Sequence, residues 1–363
     1  MERAEVSSRV LITGAQGFLG RYTAAEFLCA DACEVLGIGR SPEQPAQFTH
    51  EVTVRRVQRP APLTSYLAAA LSRGQFCYQQ ADVTDPAALA KVFAAFQPDC
   101  VVHLAATRRE ETAEKLIQGN VLGLCNLVEA YANSPSPVKR IVLGSSGAVY
   151  GTPRAGSLPL RESELCTPAD AYGASKLAGE HFARVLCERH GIELVIARIF
   201  NVVGPAQEER HVCGRIASEL ASMLQEERPR TISLGGLSAT RDYIDVRDVA
   251  CALRLQTESG VAGETYNLAS GVESSVREIF SLLCNSVGLQ GQVTIPELPG
   301  SGIPRHFACV EKLHGLGFRR RFELPESLRN VIDYYLTFPH GSGPSTPAIH
   351  QRAKPTPEAV SVP

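Results

Sequence analysis

No run of about 18 consecutive apolar residues occurs in this chain of 363 residues, so it offers no candidate membrane-spanning helix. The N-terminal stretch MERAEVSSRVLITGAQGFLG passes from polar residues straight into a strand-like run, without the apolar core of a signal peptide. A cytoplasmic protein is expected. An excess of either charge is also lacking: 36 Lys plus Arg stand against 38 Asp plus Glu, a net charge of -2. That balance gives no electrostatic case for nucleic acid or an anionic membrane surface, and small-molecule partners are expected instead. The eleven cysteines form no CxxC pair and have no clustered histidine, so neither a metal site nor disulfides are expected. No internal repeat is present.

What is present is an alternation of short β-branched runs with longer amphipathic stretches. The runs RVLITGA, CEVLGIGR, FCYQQADVT, CVVHLAA, KRIVLGSS and ELVIARIFN are strand candidates. Helices are expected near Arg21 to Ala30, Pro86 to Phe96, Lys115 to Ala132 and Tyr172 to His190. Fully apolar strands separated by helices imply a parallel sheet covered on both faces, the doubly wound α/β (Rossmann) fold. Residues 1–200 are read mainly as this core, and residues 201–338 mainly as a smaller mixed α/β lobe, with some strands returning to the core. The Pro-rich residues 339–363 are expected to be a disordered tail. The irregular stretch from Ser41 to Pro62 is expected to be a surface excursion between the second and third strands.

At the end of the first strand, ITGAQGFLG spaces Gly14, Gly17 and Gly20 as GxxGxxG. Glycines there permit a sharp turn, close approach of a pyrophosphate to backbone amides, and tight packing of helix on strand. The loop, with Phe18 and Leu19 between its second and third glycines, is a candidate dinucleotide site. The second strand ends in GIGRS with no acid to read a ribose, whereas Arg40 can pair with a 2′-phosphate. That favours NADP(H), the alternative being a solvated strand-end arginine. Asp82 and Val83 after the third strand, and Ala105 and Ala106 after the fourth, are further cofactor candidates or simple strand-end punctuation.

DAYGASK opens a helix with Tyr172 and Lys176 four residues apart, hence on one face. A phenol titrates near about pH 10, too high for efficient proton exchange, and a nearby ammonium stabilises the phenolate. Tyr172 is therefore a candidate proton donor or acceptor, and Ser146 at the preceding strand end can hydrogen-bond the same reacting oxygen. Glycine loop, serine strand end and YxxxK follow in order within one α/β pattern.

Taken together, TGAQGFLG, HLAA, GNVLGLCNLVEA, SSGAVYG, YGASK, RIFNVVGP and TRDYIDVRDVA resemble the extended short-chain dehydrogenases/reductases acting on nucleotide-sugars, over about Val10 to Tyr335. The resemblance implies Ser146, Tyr172 and Lys176 as catalytic residues, and Asn120 as support for the lysine. It also implies a substrate site including Thr107, Ser146, Asn201, Arg241 and Arg305, and a homodimer built through a four-helix bundle. Arg241 could instead pair with Asp245, and PRHF departs from the relatives' acidic pattern. In similar dehydratases an Asp-Glu pair directly follows the Ser or Thr. Here Gly147 and Ala148 stand there, and neither can carry a proton. The remaining chemistries are NADPH-dependent C4-keto reduction, as in the GDP- or dTDP-4-keto-6-deoxyhexose reductases this chain resembles, or 4-epimerisation, which would use NAD(H). A non-catalytic dinucleotide-binding regulator is a third reading.

Overall fold

The computed structural model describes residues 8–30, 33–73, 75–135, 140–225, 230–298 and 302–338. The expected tail lies outside them. The chain begins with β1 (Ser8–Thr13), α1 (Phe18–Cys29) and β2 (Cys33–Gly39). Then come β3 (Gln47–Val54), β4 (Val57–Pro62), α2 (Ser65–Leu71), β5 (Phe76–Gln80), α3 (Pro86–Phe96) and β6 (Cys100–His103). Helix α4 (Ala113–Ile117) runs through a π turn at Gln118–Leu122 into α5 (Gly123–Ala132), ahead of β7 (Arg140–Ser146), α6 (Ala171–His190) and β8 (Glu193–Ile199). The remainder holds β9 (Asn201–Val203), α7 (Val212–Gln225), β10 (Leu234–Gly235), β11 (Thr240–Asp245), α8 (Val246–Ser259) and β12 (Thr265–Leu268). It closes with β13 (Glu273–Ser275), α9 (Val276–Ser286), β14 (Glu297–Leu298), β15 (Arg305–His306), α10 (Glu311–Gly315) and α11 (Leu324–Leu336).

Seven strands form one parallel sheet in the order β12-β8-β7-β6-β1-β2-β5. Successive residues of a strand point to opposite faces, so β1 sends Leu11 to one side and Val10 and Ile12 to the other. Leu11 packs with Phe93, Leu127 and Tyr131 of α3 and α5, while Val10 and Ile12 pack with Phe27 and Leu253 of α1 and α8. The inner strands are mainly apolar because both faces are covered, whereas edge strand β5 exposes Cys77, Gln79 and Gln80. From β1 the chain moves one way to β2 and β5, then crosses back to β6, so a crevice opens at the carboxyl ends of β1 and β6.

The stretch from Ser41 to Pro62 is not a surface excursion. Residues 47–62 form an antiparallel hairpin, β3 with β4, whose Phe48, His50, Val52 and Val54 are buried at every second position. Phe48, Val52 and Val54 join the lobe's core with residues of α7 and α11. His50 Nε2 bonds the Ala206 carbonyl at 2.8 Å, and Tyr334 Oη donates to the Pro62 carbonyl at 2.9 Å. Period-two alternation in QFTHEVTV was a strand signal, but Arg55 and Arg56 hide the turn. Both adopt left-handed conformations (φ 50° and 63°) where Asn-Gly would have marked it.

No helix among the described residues is long and apolar enough to cross a membrane. No group of three His, Cys, Asp or Glu among them could hold a metal ion, and the eleven cysteines are free thiols.

Candidate active site

At the crevice, Gly14 has φ +69°, and a Cβ there would lie 2.9 Å from the Ala105 backbone nitrogen. A Cβ on Gly20 would lie 2.2 Å from the Gly14 oxygen. A side chain at Gly14 would push the β1–α1 turn off the end of β6, and one at Gly20 would clash with the backbone of the turn itself. Thr13 Oγ1 fastens that contact, accepting from the amides of Leu104 (3.1 Å) and Ala105 (2.9 Å) and bonding His103 Nδ1 at 2.9 Å. No side chain caps α1, so the leading amides around Phe18 and Leu19 face the crevice edge without a competing carboxylate. Bare glycine backbone under a helix N-terminus suits a dinucleotide pyrophosphate. Gly14, Gly17, Phe18, Leu19 and Gly20 are the residues that would hold it.

Arg40 follows β2 and is exposed, its carbonyl accepting from Gln80 Nε2 at 2.7 Å. Asp82 Oδ1 is engaged in a local turn, accepting from Thr84 N and Oγ1, both at 2.9 Å. Val83 is buried against Gly123 of α5, and Ala106 lies exposed beyond β6.

Ser146 ends β7, and its Oγ accepts from Ala148 N at 3.2 Å, capping a single 3-10 turn at Gly147–Tyr150. Asp170 caps α6 through a bond from Gly173 N at 2.7 Å, which places Tyr172 in the first turn, where the Ser146 hydroxyl is near enough to favour its phenolate. Lys176 is buried, and its Nζ donates to the Gly144 carbonyl at 2.6 Å. Burial lowers the Lys176 ammonium to about 8, opposed by Glu180. Burial pushes the Tyr172 phenol up, and the largest opposing influence is the Arg109 guanidinium, followed by Ser146 and Arg210. Arg109 is thus a cation beside the phenol that the sequence did not point to.

Asn120 sits in the π turn, a local feature common at functional sites. Its Oδ1 accepts from Thr107 N at 2.7 Å, and its Nδ2 donates to Ser175 Oγ at 2.9 Å, itself bonded to the Tyr172 carbonyl at 2.8 Å. Asn120 therefore joins the loop after β6 to the start of α6. Its tie to Lys176 runs through that helix.

A buried network under this helix was not legible in the sequence. Glu180 and Arg198 pair at 2.8 Å, with side chains 2% and 7% exposed. Ser145 Oγ donates to Glu180 Oε1 at 2.5 Å, and the Arg198 guanidinium lies 4.8 Å from the centre of the Tyr150 ring. The available signal was spacing: Tyr172, Lys176 and Glu180 recur every fourth residue on one helix face.

A cavity of about 480 Å³ is lined by Asn201, His211, Arg241, Tyr243 and Ile303, among others. Asn201 Nδ2 is anchored to the Asp242 carbonyl at 2.9 Å. Asp245 pairs with Arg247 at 2.8 Å rather than with Arg241. Arg305 stands apart from the cavity lining: it is exposed and pairs with Glu273, Nε to Oε2 at 3.0 Å. His306 next to it packs inward, 5.1 Å from the Phe200 ring centre, and a Cβ on Gly147 would meet both rings at 3.2 Å.

In sequence, the chain is 30% identical to the UDP-glucose 4-epimerase of Mycolicibacterium smegmatis over 332 residues, covering 90% of this chain and 98% of that protein. It is 33% identical to the GDP-6-deoxy-D-mannose reductase of Pseudomonas aeruginosa over 192 residues, 52% of this chain and 63% of that protein. The crystal structure of the Thermus thermophilus UDP-glucose 4-epimerase in complex with NAD superposes with a TM-score of 0.73 at 25% identity, covering 91% of this chain and 99% of that one. Residues 10–269 match the NAD dependent epimerase/dehydratase family, and the chain belongs to that family, the extended short-chain dehydrogenases/reductases.

Proposed function

We propose that this protein reduces the C4 ketone of a nucleoside-diphosphate-4-keto-6-deoxyhexose, dTDP- or GDP-linked, with NADPH as reductant. The observation carrying this choice is the end of β2, where an exposed Arg40 stands in place of an acid and suits a 2′-phosphate. A bound reduced nicotinamide dinucleotide supplies the hydride and is oxidised in turn. The chain's own residues manage the proton: Tyr172 donates it to the former carbonyl oxygen, and Ser146 donates a hydrogen bond to that oxygen as charge develops. Lys176 fixes the α6 face against β7 through Gly144. Arg241, in the cavity lining, presents a fork suited to diphosphate oxygens. Arg305, engaged by Glu273, is left out of this assignment. Dehydration is disfavoured twice, because positions 147 and 148 carry no ionisable group and the room beside Gly147 is taken by His306 and Phe200.

A second reading, NAD-dependent 4-epimerisation, is supported by the near full-length similarity to a UDP-glucose 4-epimerase. Two assays separate them. Stoichiometric NADPH oxidation with dTDP- or GDP-4-keto-6-deoxyhexose marks a reductase; UDP-glucose/UDP-galactose interconversion with catalytic NAD marks an epimerase. Neither activity would remove both readings in favour of a non-catalytic regulator.

Arg40→Asp is expected to weaken NADPH by about tenfold or more while sparing NADH, since one charge-assisted contact to a phosphate contributes about 1.5–3 kcal/mol. Unchanged dissociation constants for both would sink the NADP assignment. We also propose a homodimer through α4–α5 and α6, whose outer faces expose Ile117, Leu122, Phe182 and Val185. Phe182→Glu should then shift gel-filtration elution from dimer to monomer; a wild-type chain eluting as a monomer contradicts it.

A further inference from the structure

Arg109 lies in the loop between β6 and α4, outside every motif of the sequence. Its guanidinium carbon stands 5.0 Å from the centre of the Tyr172 ring, within cation–π range. Nη1 pairs with Asp170 Oδ2 at 2.9 Å. The other oxygen of that carboxylate caps α6 through Gly173 N. One aspartate thus fixes both the helix start bearing Tyr172 and the cation seated on its ring.

We propose that Arg109 is a positioning residue for Tyr172: clamped by Asp170 against the ring, it holds the phenol beside Ser146 and supplies the permanent positive charge that favours the phenolate. The inference rests on the reading of Tyr172 as the proton-exchanging group. Lys176 is buried on the same helix with its Nζ donating to the Gly144 carbonyl at 2.6 Å, and Arg109 adds a second cation on the face of the ring. A guanidinium stays protonated across the working range. The other groups facing Tyr172 do not substitute for it. Arg210, from the loop before α7, is paired with Glu208 at 2.9 Å and Glu110 at 3.5 Å. Asp170 opposes phenolate formation, and Ser146 favours it without carrying a charge. Arg109 and Asp170 side chains are 53% and 40% exposed, so their pair adds little to stability, and its effect is to be read at the phenol.

The test is ultraviolet titration of tyrosinate in the purified full-length protein, with the Tyr172→Phe curve subtracted to isolate the one phenol. Arg109→Gln should raise its midpoint by about one pH unit, the sign expected when a cation is removed from an anion, and Arg109→Lys should restore most of the difference. In the wild type, raising salt from low to high should shift the same midpoint upward, because an exposed cation is screened. A midpoint unmoved by Arg109→Gln, not restored by Lys, or insensitive to salt overturns the proposal. If Tyr172→Phe itself retains turnover, it is the catalytic reading that falls, whatever Arg109 does to the titration.

Discussion

Tyr172→Phe is expected to lower turnover by about 10²- to 10⁴-fold, the usual contribution of a positioned general acid or base, while cofactor and nucleotide-sugar affinities stay near wild type. The ring survives the substitution and keeps its contact with Arg109, so the fold and the α6 start should not change. Only the hydroxyl is lost, and with it the proton. Rapid-mixing kinetics with whichever cofactor and nucleotide-sugar the two assays show to be accepted, beside equilibrium binding of each, separates the effects. Turnover within a few-fold of wild type would remove Tyr172 from its role; a parallel loss of binding would make it a structural residue.

Arg198→Ala should destabilise the protein by about 3–5 kcal/mol, the range for breaking a buried ion pair from one side. The cost comes less from the lost attraction than from Glu180, left charged at 2% side-chain exposure with only Ser145 to bond it. The Glu162 carbonyl and the Tyr150 ring lose their partner too. Replacing both charges with apolar residues, Glu180→Leu with Arg198→Met, should recover only part of the loss, since neither member of the pair is then left alone but the buried Lys176 loses the favourable influence of Glu180. Urea unfolding followed by circular dichroism measures both variants. A single-variant loss under about 1 kcal/mol, the size of an exposed pair, would show that this pair is not buried in solution.

Much of the core was legible because its signals are local. Strand candidates, the glycine loop and the YxxxK helix all depend on spacings of a few residues, and they recur in the structure as β1, β2, β5, β6, β7, β8, α1 and α6. The β3–β4 hairpin was missed although its alternation was in plain view, because two arginines occupy a turn that glycine or asparagine normally announces. Arg109 and the Glu180–Arg198 pair carried no comparable signal. Their partners lie on other elements, and nothing in the local pattern says which side chain a given charge will meet.

The sequence by itself determined the α/β alternation, the bare backbone of the β1–α1 turn, and the absence of any proton-carrying group at positions 147 and 148. Tertiary structure alone decided the pairing of charges. Asp245 took Arg247 and left Arg241 in the cavity wall, Glu273 drew Arg305 away from it, and Asp170 set Arg109 on Tyr172. The physical reason is that ionic and ring contacts depend on separation in space and on local exclusion of water. Only the closed fold sets those for residues tens of positions apart.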